Sequence, residues 1–272
     1  MRRRAKGSVA MKDKICRIAI VVLGLAFLLT WFFDPTYSAD ERTNTLCKSI
    51  VFHLLGSAVF AVLLAFLDYK PFHRPDARSI LTVVLPCLLV VVNNMPLIAL
   101  WTGEATVTRP ALVPLFLLDC LLIGAFEEIA FRGTLFLAIL KNRRASTKEI
   151  FWVAALTSAV FGLSHLANLF EGAGIGATLL QVGYSFLIGG MCSIVLIKTG
   201  NLLICILLHA IFDVGGGFLS VLGTGNQWNA PTVWITAILA VAVSAWMVYT
   251  LLRVHPREVD RFYQTKEGKT EQ

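Results

Sequence analysis

Residues 124–136 read GAFEEIAFRGTLF and place three formal charges, Glu127, Glu128 and Arg132, inside an otherwise apolar run. If this run spans a bilayer, each charge at mid-span costs roughly 2.5–3.5 kcal/mol, because hydrocarbon offers no water. Together the three would cost on the order of 8–10 kcal/mol if each faced lipid unpaired. They are therefore expected to face the interior of a helical bundle or a wet cavity.

The composition of the whole chain indicates a polytopic membrane protein. Of the 272 residues, 57% are hydrophobic and only 15% are charged, whereas soluble domains carry about 25% charged residues. The net charge is +7, but the basic residues cluster between apolar runs, which indicates membrane topology rather than nucleic-acid binding. The six cysteines are scattered without metal-site spacing, so no disulfide framework is expected.

Apolar runs long enough to cross a bilayer predict an all-α, polytopic transmembrane bundle of about eight helices. The first run is long for a signal peptide and lacks a good cleavage site, so we interpret it as an uncleaved span. The fourth is too long for a simple span, so we expect it to tilt or to emerge into water. The predicted spans are 15–33, 48–67, 80–100, 110–140, 150–170, 175–197, 201–219 and 231–252.

The distribution of lysine and arginine predicts the orientation of these spans. With the N-terminus inside, the inner segments carry twenty of the 24 basic residues, and the outer loops carry only Arg42, Lys48 and Arg109. Both termini are therefore expected on the cytoplasmic side, of the plasma or inner membrane if the chain is bacterial. We expect one domain over 1–272, with a basic N-terminus over 1–14 and a polar, frayed tail over 253–272.

Helical spacing predicts which of the buried polar groups pair. Glu128 and Arg132 are four apart with the acid first, the better order for a helical ion pair. Glu127 points about 100° around the helix and is left without a partner there. We interpret three further polar residues within spans, Asn93, Asn94 and Asp119, as interhelical hydrogen-bonding groups.

Two other spans supply imidazoles to match these acids. The stretch FGLSHLAN places Phe161 and His165 on one helix face, and LLHAIFDVGGG does the same for His209 and Asp213. Taken singly, each pair is typical of helix packing. Taken together, two acids and two histidines near mid-membrane are the usual groups for acid–base chemistry on water.

The three motifs EExxxR, FxxxH and HxxxD, in this order on three apolar helices, resemble the CPBP family. That family comprises CAAX-type prenyl-protein endopeptidases and bacterial proteins tied to bacteriocin processing and self-immunity. The resemblance covers about 110–220 and implies peptide hydrolysis within the membrane or at its boundary. The family's third motif ends in Asn or Asp, and this chain has Asp213, which accepts hydrogen bonds when ionised and donates only when protonated.

The resemblance implies that the motif residues form the catalytic site. We assign Glu127 as the general base with His165 as its partner, and Glu128 with Arg132 as groups that hold the helix face. His209 and Asp213 would bind the oxyanion or the substrate carbonyl. A variant in which His165, His209 and a carboxylate hold Zn²⁺ uses the same atoms, although no HExxH is present. The cofactor is thus either absent or Zn²⁺, and every version requires the three spans to converge on one pocket.

Other functions remain open on the sequence. A serine protease would need a nucleophilic serine paired with a histidine from another helix, whereas Ser164 adjoins His165 and the two point in different directions. An aspartyl type would pair Asp119 with Asp213, and neither type has its expected signature. The stronger alternatives are a non-catalytic immunity or scaffold protein and a proton-coupled transporter, because buried carboxylates and histidines also relay protons. The expected partner of an endopeptidase is a membrane-embedded or membrane-associated peptide or protein, with no nucleic acid.

Overall fold

The computed structural model describes the backbone of residues 2–30 and 32–263, and side chains from residue 14 onwards within those ranges. The described chain is almost entirely helical, and its one sheet pairs two three-residue strands antiparallel, β1 (Ala105–Val107) with β2 (Gly223–Gly225). The prediction of an all-α bundle is confirmed.

The described residues contain twelve α-helices, π-helical turns at Ile80–Val84 and Ile129–Phe136, and 3₁₀ turns at Pro110–Leu112 and His165–Leu169. The first four after the N-terminus are α1 (Arg2–Leu29), α2 (Glu41–Leu67), α3 (Ala77–Ser79) and α4 (Leu85–Asn93). The next four are α5 (Leu97–Thr102), α6 (Val113–Glu128), α7 (Leu137–Asn142) and α8 (Thr147–Ser164). The last four are α9 (Ile175–Thr199), α10 (Leu202–Leu222), α11 (Ala230–Leu251) and α12 (Arg257–Asp260).

All eight predicted spans coincide with helical segments, and five of these are long and apolar enough to cross a membrane: Glu41–Leu67, Thr147–Leu169, Ile175–Thr199, Leu202–Leu222 and Ala230–Leu251. The other three differ from simple spans. Helix α1 includes the basic residues of the N-terminus, the segment Ala77–Asn93 is shorter, and the segment 113–142 is interrupted by a π-helical stretch.

The predicted third span, 80–100, is wrong at its C-terminal end. Helix α4 ends at Asn93, and the separate helix α5 begins at Leu97. Pro96 lies at the N-cap of α5. Because proline disfavours helical geometry in the residue before it, the helix breaks at this point. The interruption leaves the side chains of Asn93 and Asn94 at the end of a helix, near neighbouring helices.

One end of the bundle gathers the connections that the sequence analysis assigned to the cytoplasmic side. The segment between α2 and α3 meets the α9–α10 connection, where His73 N–H donates to the Gly200 carbonyl at 2.9 Å. The α7–α8 connection meets the C-terminal segment through an ion pair of Arg144 and Asp260 at 2.9 Å. At the opposite end, β1 pairs β2 and Arg42 donates to the Ser220 carbonyl.

The expectation of a frayed tail is wrong for residues 254–263. Val254, Val259 and Phe262 are buried, and the Tyr263 hydroxyl donates to the Leu137 carbonyl at 2.7 Å. Lys198 forms an ion pair with Glu258 at 2.7 Å. Apolar residues at a helical spacing let this segment cover the ends of α7 and α9. The remainder of the predicted tail, 264–272, lies outside the described residues, as do the side chains of the predicted basic segment up to residue 13.

The core lies around α9, whose residues from Ile188 to Ile197 are buried almost without exception. Helix α9 packs on α8, and α6 packs on α10 and α2. The motif-bearing helices α6, α8 and α10 thus surround the same interior as α9. Helix α11 covers one side of this interior and leaves most of its own surface exposed.

Candidate active site

The two acids of the first motif are the last residues of α6, at the point where the helix changes to π geometry. Glu128 is fully buried and Arg132 is 2% exposed, and the ion pair expected from their spacing is present, with Nη1 3.0 Å from Oε1. The Thr134 hydroxyl donates to the Ile129 carbonyl five residues earlier, at 2.9 Å. Such π-helical turns occur frequently at functional sites.

His209 joins the two acids from the facing helix α10. Its Nδ1 lies 2.7 Å from Glu128 Oε1, and its Nε2 lies 3.2 Å from Glu127 Oε2. The same Nε2 is 3.7 Å from Asp213 Oδ2, one turn further along α10. Because both ring nitrogens face carboxylate oxygens, a ring that carries both protons donates to Glu127 and Glu128 at once.

The close approach of α6 and α10 at this point depends on Gly124. A Cβ atom there would lie 2.9 Å from the Ile206 carbonyl oxygen and 3.1 Å from the Ala210 backbone nitrogen. Both atoms belong to the backbone of α10 and cannot turn aside. The glycine therefore sets the separation at which His209 reaches both glutamates.

Phe161 connects the ion pair to the second histidine. It is 1% exposed, and the guanidinium carbon of Arg132 lies 4.3 Å from the centre of its ring, which is a cation–π contact. The centre of the ring is 5.1 Å from that of His165 and 5.9 Å from that of His209. Phe161 thus fixes the relative positions of the cation and both imidazoles.

His165 lies just beyond α8, as the first residue of the 3₁₀ turn. Its Nδ1 is 3.0 Å from the Phe161 carbonyl oxygen. Because a carbonyl only accepts, Nδ1 carries the proton, and Nε2 remains available as an acceptor. The structure pairs Glu127 with His209, whereas His165 was the predicted partner. The reason is that α6 contacts α10 directly.

A cavity of about 860 Å³ lies in front of these groups, between α4, α6, α9, α10 and α11. Glu127, His165, His209 and Asp213 all line it, whereas Glu128 and Arg132 lie behind His209 and do not. The remaining lining is mainly apolar, including Ile123, Leu187, Ile188, Met191, Leu239 and Met247. The three motifs therefore meet at one cavity with a polar wall and apolar sides.

The donor atoms do not form a metal site. Among the residues that the structure describes, no group of three or more histidine, cysteine, aspartate or glutamate side chains is arranged to hold a metal ion. His209 uses both nitrogens on carboxylates, and His165 uses Nδ1 on its own helix. The Zn²⁺ variant does not fit this arrangement, and we derive no step through a metal.

Several polar residues outside the three motifs also line the cavity. Asn93 donates to Thr236 Oγ1 at 2.8 Å and Asn94 to the Phe212 carbonyl at 2.7 Å, which are the interhelical hydrogen bonds expected of them. Both also line the cavity, as do Asp119 and Tyr184. Asp119 was predicted to be an interhelical hydrogen-bonding group, and its place in the cavity was missed although an acid inside an apolar run is itself a signal of a functional residue.

Comparison with known proteins identifies the same part of the chain. Residues 109–215 match the family model described as type II CAAX prenyl endopeptidase Rce1-like, and this range contains all three motifs. The CAAX prenyl protease 2 of Saccharomyces cerevisiae is 31% identical over 103 residues, which cover 33% of this chain. The aligned part spans 32%, about a third, of the length of that curated relative. No solved structure matches the chain. The family match and the yeast relative together support a CPBP-family protease, with the family-model match lying on the segment that carries the three motifs.

Proposed function

We propose that this chain is an intramembrane endopeptidase that hydrolyses a peptide bond of a membrane-associated protein or peptide, as a single transmembrane domain. The observation that carries the proposal is the position of Glu127, which pairs with His209 at 3.2 Å and lines the cavity with 18% of its side chain exposed. The neighbouring Glu128 is fully buried behind it. Glu127 is thus accessible to a substrate, whereas Glu128 holds His209 in place from behind.

In the proposed reaction, Glu127 acts as the general base. It takes a proton from water as the water oxygen attacks the peptide carbonyl carbon, and it then gives that proton to the leaving amine as the C–N bond breaks. The products are a carboxylic acid and an amine, which become a carboxylate and an ammonium group when the acid passes its proton to the amine. A positioned general base typically contributes 10²–10⁴-fold to such a rate.

The other motif residues have supporting roles in this proposal. His209 fixes the positions of the Glu127 and Glu128 carboxylates, and its positive charge offsets the negative charge that develops on the carbonyl oxygen of the substrate. Asp213 lies beside the same Nε2 atom and orients the ring. His165 keeps Nε2 available for the water or the substrate, because its Nδ1 is occupied by the Phe161 carbonyl.

A non-catalytic membrane protein is the second candidate, favoured by one specific observation. The row Arg132–Glu128–His209–Glu127 is a continuous set of hydrogen-bonded or ion-paired groups within the helices. Such rows also relay protons in transporters. An immunity or scaffold role would keep its cellular phenotype when Glu127 loses its charge, whereas a hydrolase or a proton relay through Glu127 would not.

The experiment compares purified wild-type protein, Glu127→Gln and the control Glu171→Gln on a library of membrane peptides read by mass spectrometry. Glu171 is exposed, in the connection between α8 and α9, so its loss is expected to leave cleavage unchanged. We expect Glu127→Gln to lose cleavage by about 10²-fold or more. Cleavage by Glu127→Gln within threefold of wild type would refute the base assignment. Full activity of wild type with a tight chelator and no bound zinc would eliminate the Zn²⁺ variant.

A further inference from the structure

Asp119 is a second acid in the cavity, and the proposed reaction does not use it. It lies on α6 eight residues before Glu127 and is 6% exposed. Its Oδ1 atom has no hydrogen-bond partner among the described residues, and the residue lines the cavity. A buried carboxylate oxygen without a donor is costly unless something else supplies one.

The groups that face Asp119 leave its Oδ1 atom without a donor. From α2, Ser49 reaches the carboxyl group and His53 lies near it, but His53 Nδ1 is turned towards its own helix, 2.8 Å from the Ser49 carbonyl and 3.1 Å from the Ser49 hydroxyl. On α10, Asp213 is another acid in the same cavity. The cavity lining contains three carboxylates and neither lysine nor arginine. His209, the cationic group of the lining, is already paired with Glu127 and Glu128, so the Asp119 end of the cavity can receive a positive charge from a ligand.

We propose that Asp119 binds a basic side chain of the peptide substrate and so determines which peptides are cleaved. This inference rests on the proposed endopeptidase function. Eight helical residues separate Asp119 from Glu127 by about 12 Å along the axis of α6. An extended peptide advances about 3.3 Å per residue, so the basic side chain lies three or four residues from the cleaved bond.

The test uses pairs of peptides that carry either lysine or glutamine at three or four residues from a bond that the wild type cleaves. We expect the wild type to favour the lysine peptide in kcat/KM by about tenfold or more, as a charge-assisted hydrogen bond would give. In Asp119→Asn the preference is expected to fall to within twofold, through slower cleavage of the lysine peptide alone. Asp119→Glu keeps the charge and is expected to retain the preference.

The outcomes separate this inference from the proposed function. If the wild type cleaves both peptides at equal rates, or if Asp119→Asn keeps the preference, the recognition role is overturned while the endopeptidase function stands. If Asp119→Asn is folded but loses both peptides equally, Asp119 has a structural role instead. If the wild type cleaves no peptide in the library, the proposed function fails first. Should Asp119→Asn not fold, loss of the preference in folded Asp119→Glu would equally overturn the inference.

Discussion

At the residue scale, two buried acids and two buried basic groups of the site lie in mutual contact. Arg132 pairs with Glu128, and His209 faces Glu127 and Glu128, all within 3.2 Å, so a doubly protonated ring would match two positive charges to two negative ones. Taking these groups out of water is costly, and only their mutual contacts offset that cost. Removing one partner therefore leaves an uncompensated charge, whereas removing a pair does not.

Arg132→Met tests this balance. The change leaves Glu128 with His209 as its single charged partner, and we expect a loss of about 3–5 kcal/mol in the free energy of unfolding, measured by denaturant titration in detergent. The double variant Glu128→Gln/Arg132→Met removes both charges, so we expect it to recover part of that loss. A double variant that is destabilised by the sum of the two single changes would contradict the coupling.

Part of this arrangement follows from spacing, and part does not. The Glu128–Arg132 pair is predictable because residues four apart on a helix are always neighbours. The partner of Glu127 is not, because it depends on which helices touch. The structure places α10 against α6 and leaves His165 just past the end of α8. Two histidines on different helices looked equivalent in the sequence, and only packing distinguishes them.

At the element scale, the decisive contact is the approach of α6 to α10 at Gly124. Any larger residue meets backbone atoms of α10 at 2.9 and 3.1 Å, so the helices must separate by some tenths of an ångström. The distances from His209 to the two glutamates are set by the same approach. The π-helical stretch that follows α6 was not predictable, since no local residue pattern in 129–136 distinguishes it from an ordinary α-helix.

Gly124→Ala is expected to reduce kcat/KM by about tenfold or more, since displacement of catalytic groups by 1 Å costs on the order of 10²-fold. Gly183→Ala is the matched control, because a Cβ there meets nothing within 4 Å and the residue also lies inside a helix. We expect the control to keep wild-type activity in the same peptide assay. Equal rates in Gly124→Ala and wild type would show that the helix separation does not set the site geometry.

At the scale of the whole molecule, the connections divide into two ends. The basic connections and the segment 254–263 lie together. Helix α8 begins and α9 ends beside that segment, so the α8–α9 connection lies at the other end of the bundle, as do the strands β1 and β2. Counting basic residues predicts the same grouping of connections, because alternate connections of a spanning bundle fall on alternate sides. The burial of Phe262 was not predictable from the sequence, because its few apolar neighbours are outnumbered by the charged and polar residues of the tail.

The division of the ends leads to a prediction about orientation. We propose that the basic end is cytoplasmic, as the excess of lysine and arginine there indicates. Single cysteines replacing Arg74 and Arg143 would lie at the basic end, and cysteines replacing Glu104 and Glu171 at the other; all four positions are exposed. In intact cells, we expect a membrane-impermeant maleimide to label the second pair at once and the first pair only after permeabilisation. The unsubstituted chain, with its six cysteines, measures the background.

Labelling of the Arg74 and Arg143 positions from outside would show that the orientation is the reverse of the proposed one. Labelling of one position from each pair from outside would contradict the division of the connections between two ends of the bundle.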